Sequence, residues 1–194
     1  MEIAAEEVLV NGFRSTSLDQ ILRRSGVTKG ALYYHFRNKK ELGLAMVAEL
    51  YREYVSREWR EGLARTGDPV DDLLELLRKK RSGSTEDSVR CGCPLNNLAQ
   101  EMAAVDEDFR RAIESIFAEW RTVIAEALER GKRDGKVREN VDSAKAAIFI
   151  IAVIEGSVGA AKNARNPALL DAAVETLQVF VETLRPGRRI RSAA

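Results

Sequence analysis

The stretch SLDQILRRSGVTKGALYYHFRNKKEL, residues 17–42, decides how the chain is read. Leu18, Ile21 and Leu22 fall on one helical face behind Ser17, a natural cap, and the helix stops at Gly26. A second short helix follows from Thr28. It carries Tyr33, Tyr34, His35 and Phe36 in succession, with the only histidine of the chain among them. Consecutive helical residues are about 100° apart, so these four side chains cannot all point inward. Two short helices around a glycine suit a helix-turn-helix, the first near Leu18–Ser25 and the second near Lys29–His35. Gly26 takes a positive φ cheaply, and Val27 is expected to lock the two helices together. Leu32, Phe36 and Ile21 are the expected core.

In such a unit the second helix lies in the DNA major groove with its first residues near base edges. Thr28, Lys29 and Gly30 form the tip. Lys29 reaches a guanine edge or a phosphate, and Gly30 lets the backbone approach closely. Tyr33 and Tyr34 offer phenol hydroxyls to phosphates, and His35 offers an imidazole N–H. Lys39 adds charge where the next helix opens. Thr16 and Ser17 offer hydroxyls and amides before the first helix. Charge agrees: Arg14 to Lys40 holds seven basic residues against Asp19 alone, a local net charge of +6, although the whole chain carries only +1. A basic segment on a near-neutral body points to a polyanion met at one place.

The other segments also read as helices, and no stretch reads as a strand. Ile3, Ala4, Val8 and Leu9 pattern a first helix ending at Gly12. A helix of about 25 residues opens at Asn38, with Leu42, Ala45, Met46, Leu50, Tyr54 and Trp59 expected on its inner side. Further helices start at Pro69, Pro94 and Asp106 and cover about 142–162 and 168–185, with a loop expected over 82–92. The layout is a three-helix N-terminal unit plus a helical body, about nine helices in all, joined rigidly through the long fourth helix. The expected division is residues 1–48 for DNA, 49–185 for ligand binding and dimerisation, and 186–194 as a frayed basic tail. No apolar run reaches the roughly 18 residues of a membrane span. With no secretory leader visible, the expected compartment is the cytoplasm.

For the body, a ligand pocket needs apolar walls and a few polar groups. Asn97, Met102, Phe117, Trp120, Phe149 and Glu155 are the candidate lining. Glu155 interrupts a very apolar helix, where a carboxylate needs a partner. Gly156, Gly159 and Ala160 give that helix a small-residue face. Leu170, Val174, Leu177 and Val181 stripe the last one. Paired across two copies, these helices would make a four-helix dimer bundle. Cys91 and Cys93 read as reduced thiols, too few for a zinc site. Arg90 beside them allows a second reading, an electrophile- or redox-sensing thiol. No metal site, cofactor or catalytic constellation is legible, so an enzyme is not expected.

Gly-Val-Thr-Lys-Gly-Ala-Leu-Tyr-Tyr-His-Phe, followed by the Lys-Lys-Glu-Leu helix start, closely resembles the DNA-binding domain of TetR-family transcriptional repressors over about residues 3–48. The resemblance places Thr28, Lys29, Gly30, Tyr33, Tyr34, His35 and Lys39 at DNA-contacting positions. It implies an all-α, ligand-responsive repressor that holds a palindromic operator as a homodimer and lets go when a small molecule binds the body. CGCPLNNLAQEMAAVDEDFR resembles a segment of one subset of these repressors. Members of the family usually carry a basic arm before the position of Ile3. By that comparison either the start lies upstream of Met1 or some phosphate contacts are absent.

Overall fold

The computed structural model describes residues 1–187; the end of the expected basic tail lies outside the described residues. Every element among them is helical. In chain order they are α1 (Glu2–Asn11), α2 (Leu18–Ser25), α3 (Lys29–His35), α4 (Lys39–Met46), α5 (Arg52–Val55), α6 (Pro69–Ser82), α7 (Glu86–Cys91), α8 (Pro94–Met102), α9 (Glu107–Arg133), α10 (Ser143–Ala164) and α11 (Pro167–Glu182). The residues group into two compact units, Met1–Ser56 with Cys91–Glu119, and Arg57–Arg90 with Trp120 onward.

Side-chain caps set most helix starts. Asp68 accepts from Val70 N at 2.9 Å ahead of Pro69, Asp106 from Asp108 N at 3.0 Å, and Asp142 from Lys145 N at 3.0 Å. Each satisfies an amide that the first helical turn leaves open. The segment 82–92 is not all loop, since α7 occupies its second half. Thr85 and Ser88 exchange amide-to-hydroxyl bonds of 2.8 and 3.2 Å there. That reciprocal cap starts a helix too short to show apolar periodicity.

The long fourth helix runs from Lys39 to Glu61, and its inner face keeps the expected Leu42, Met46 and Trp59 but not Ala45, Leu50 or Tyr54. Val47–Tyr51 and Ser56–Glu61 have π geometry. The buried positions are Leu42, Met46, Val47, Tyr51, Val55, Trp59 and Leu63. Tyr54 is exposed and Leu50 only half-buried. A π-turn closes i→i+5 bonds and underwinds the helix, so a stripe repeating every four residues stays on one side.

In the first unit, Phe13 meets Phe109 edge-on at 4.7 Å between ring centroids. Gly43 permits this: a Cβ there would sit 2.4 Å from the Phe13 ring and 2.7 Å from that of Phe109. In the second, α10 and α11 pack together and α11 also packs on α6. Trp59 and Trp120 lie 4.9 Å apart in its core. Arg185 binds Asp68 at 3.0 Å and Glu182 at 2.9 Å, and also Asp71, tying the end of α11 to the start of α6. Helix α10 is long and apolar enough to cross a membrane, but about half of its richest window is buried in the unit.

Candidate nucleic-acid interface

Helix α2 opens with a full capping box: Ser17 Oγ accepts from Gln20 N at 3.2 Å, and Gln20 Oε1 accepts from Ser17 N at 2.7 Å. It closes at Gly26 with φ 67°, whose N–H donates to Leu22 O. Thr28 then caps α3 by accepting from Ala31 N at 3.2 Å. Buried Ile21 and Leu32, with half-buried Phe36, seat the pair of helices. Val27 does not lock the turn. It is 45% exposed, because positive φ at Gly26 swings it outward.

With Leu32 inward, α3 presents Lys29, Gly30, Tyr33, Tyr34 and His35 to solvent. Tyr34 is 86% exposed. Its ring meets His35 edge-on at 5.1 Å, and Lys29 Nζ lies 5.9 Å from the Tyr33 ring centroid. A Cβ on Gly30 would meet nothing within 4 Å. This face offers an ammonium, two phenols and an imidazole, donors matched to phosphate oxygens and base edges.

Two other expected contacts are used inside the protein. Thr16 is buried, and its hydroxyl donates to Gly12 O at 2.7 Å and toward Glu7 O at 3.3 Å. Lys39 Nζ donates to the carbonyls of Phe13, Arg14 and Thr16 at 3.0, 3.1 and 2.9 Å. An ammonium has three protons, and all three are engaged. Neither group faces outward, because the 12–16 loop needs its backbone groups satisfied.

The local charge shrinks for the same reason. Arg24 binds Glu6 at 3.0 Å and Glu7 at 2.8 Å, and their hydrogen bonds raise its pKa. Lys40 binds Asp106 at 2.8 Å and Asp108 at 2.7 Å. The side chains of Arg14, Arg23, Lys29 and Arg37 remain exposed and make no ion pair among the described residues. The fold concentrates cationic potential on fewer side chains than composition suggests.

The body candidates are distributed over both units. Asn97, Met102 and Phe117 belong to the first, and Trp120, Phe149 and Glu155 to the second. Met102, Trp120 and Glu155 are buried, Asn97 and Phe117 half-buried. Asn97 Nδ2 donates to Cys91 O at 2.7 Å, which braces the start of α8. Phe149 is exposed, paired edge-on with Phe180 at 4.7 Å. It lines a cleft of about 330 Å³ with Arg138, Val141, Lys145, Phe180 and Leu184. Those cleft residues come from three segments, so no spacing in the sequence grouped them.

The expected dimer surface divides in two. Gly156, Gly159 and Ala160 are exposed, alongside Ile148, Phe149, Leu169 and Val179. Leu170, Val174, Leu177 and Val181 are not available to a second copy. They are buried within the unit. The strongest apolar stripe of α11 serves its own protomer, since a lone helix must first bury its best face against its neighbours.

Cys91 and Cys93 are not joined in a disulfide, and both are half-buried. Near Cys93 the Tyr51 phenol is buried, and its hydroxyl has no hydrogen-bond partner among the described residues. Burial first, and the charge of Cys93 second, push its pKa up to about 12. Sequence reading also missed Glu101. Its carboxylate accepts from Phe13 N at 2.7 Å and Arg14 N at 2.6 Å, 88 and 87 residues away in the chain.

Comparisons with known proteins cover both parts of the chain. Residues 2–46 match the model described as bacterial regulatory proteins, tetR family. Residues 69–177 match the tetracyclin repressor-like C-terminal domain. An uncharacterized HTH-type transcriptional regulator in the lacX 3′ region of Lactococcus lactis is 31% identical over 182 residues, 93% of this chain and 91% of that protein. The HTH-type transcriptional regulator LmrA of Bacillus subtilis is 30% identical, with 81% of each chain covered. The crystal structure of a regulatory protein TetR from Rhodobacter sphaeroides superposes with a TM-score of 0.79 at 29% identity, covering 91% of this chain and 95% of that one.

Proposed function

Since the chain belongs to the TetR family of bacterial transcriptional regulators, we propose that it is a repressor that holds a palindromic operator as a homodimer and is released by a small molecule in its C-terminal domain. The observation that carries this reading is α3. Its apolar anchor Leu32 is buried while Lys29, Tyr33, Tyr34 and His35 are presented outward. Thr28, Lys29 and Gly30 meet base edges and the first phosphates. Tyr33, Tyr34, His35 and Ser17 grip the backbone on either side.

On this reading, residues 1–48 are the reading head and 49–185 the ligand and dimer body, working in the cytoplasm beside the chromosome. One short reading helix contacts too few base pairs for tight recognition. A symmetric dimer supplies two, about 34–36 Å apart. The exposed strip of Ile148, Gly156, Gly159, Ala160 and Val179 suits that pairing: small residues let helices approach, and exposed apolar ones supply area. A ligand that loosens the operator about 100-fold needs about 2.7 kcal/mol of differential binding.

Selection of bound duplexes from random sequence by the full-length protein is the test. The expected product is a palindrome with half-sites one helical turn apart. Recovery of no enriched sequence at moderate salt overturns the reading.

A thiol-responsive version of the same regulation is supported by the placement of Cys91 at the end of α7 and Cys93 just before α8. It is excluded if a Cys91→Ser, Cys93→Ser double variant keeps its full response to inducer.

A further inference from the structure

The loop Gly12–Ser17 connects α1 to α2 and so sets where the helix-turn-helix begins. Its backbone is held from both sides by side chains of opposite charge. On the carbonyl side, Lys39 Nζ donates to Phe13, Arg14 and Thr16. On the amide side, the two carboxylate oxygens of Glu101 each accept one N–H, Phe13 at 2.7 Å and Arg14 at 2.6 Å. Lys39 lies close in sequence and opens α4. Glu101 sits in the last turn of α8.

Other observations mark Glu101 as more than a surface acid. Gly12 has φ 83°, and a Cβ there would sit 3.3 Å from Glu101 Oε2, so the loop is shaped around the carboxylate. Immediately beside it, Phe13 packs on Phe109, and Lys40 reaches Asp106 and Asp108 at the start of α9. Charge-assisted hydrogen bonds from two adjacent amides to one carboxylate fix orientation as well as distance.

We propose that Glu101 is the positioning residue of the DNA-reading head: through the Phe13 and Arg14 amides it fixes the 12–16 loop, and with it the start of α2 and the presentation of α3. This rests on the operator-binding reading above.

The proposal predicts a sign opposite to simple electrostatics. Removing an acid near a polyanion-binding face should tighten DNA binding by relieving repulsion. Removing a positioning residue should weaken it for the operator alone. The probes are the duplex selected by wild-type protein and a scrambled duplex of equal length. Glu101→Gln should bind the selected duplex about tenfold more weakly, the scrambled one no more weakly, with an unchanged salt slope, because Glu101 touches no phosphate. Glu101→Asp keeps the charge but falls one methylene short, and should show most of the same loss. Hydrogen exchange on the free protein should show faster exchange at Phe13 and Arg14 in both variants, with α9 amides unchanged. This second readout stands even if a variant is less stable. Equal or tighter operator binding in both variants, or unchanged exchange at those two amides, overturns the proposal. Failure of wild type to select any duplex would instead overturn the operator reading, while the exchange experiment still tests the clamp.

Discussion

Two lysines ten residues apart show how residue identity and role separate. Lys29 is exposed at the tip of α3, whereas Lys39 has three carbonyls around its ammonium. Lys29→Ala should weaken DNA binding and reduce the slope of log affinity against log salt by about 1, measured by titration at several ionic strengths. Lys39→Met should leave that slope alone and lower the melting temperature, since three loop carbonyls lose their donor. Composition assigns both lysines the same charge. Only the loop geometry tells them apart. Tyr51 gives a second residue-scale test. Its hydroxyl is buried with no partner among the described residues, so Tyr51→Phe should leave the melting temperature unchanged or raise it. Its phenol pKa is raised above the usual 10 to about 12, so the neutral form is favoured by the fold. Wild-type stability from this group is present below pH 10 and lost as pH rises toward 12, and the variant should lose less across that window.

At the level of elements, the helix-turn-helix was legible because its signals are local. Ser17 and Thr28 cap, Gly26 turns, and Leu32 faces inward, all within a few residues of one another. The inner face of the fourth helix was only partly legible, at Leu42, Met46 and Trp59, because its π segments change the period on which a helical wheel depends. Gly43 within it is a packing requirement. Gly43→Ala should cost about 1–3 kcal/mol in denaturant unfolding, since the Phe13 and Phe109 rings are rigid neighbours. The start of α9 carries two carboxylates whose pKa values are lowered. The Lys40 hydrogen bond and two backbone amides hold the Asp106 pKa below 3.8, against burial. Arg110 and Arg111 bring Glu107 from 4.5 down to about 2. Both are depressed, so their stabilisation is present above the unfolded values and lost as pH falls through the folded ones. The melting temperature should be flat in this respect above pH 5 and fall between about pH 4 and 2. Asp106→Asn keeps a capping side chain and should flatten part of that fall.

For the whole molecule, the proposed homodimer on a palindromic site would cover the exposed apolar residues of α10 and α11. Val179→Glu, placed where the side chain is 67% exposed, should leave the fold intact by circular dichroism, shift sedimentation to a monomer, and remove cooperative operator binding. A variant that stays dimeric places the interface elsewhere. The sequence by itself determined the all-helical class, the two short helices and their turn, and the residues presented by α3. These follow from caps, glycine conformations and apolar spacing over stretches of a few residues. Only the tertiary structure decided that Lys39 and Thr16 are spent on the loop, that the Leu170–Val181 stripe lies in the protomer's own core, and that Glu101 holds amides 88 and 87 residues away. The physical reason is range. A backbone amide takes whichever acceptor the packed chain brings to it, and an apolar stripe shows that a helix face will be buried without showing against what.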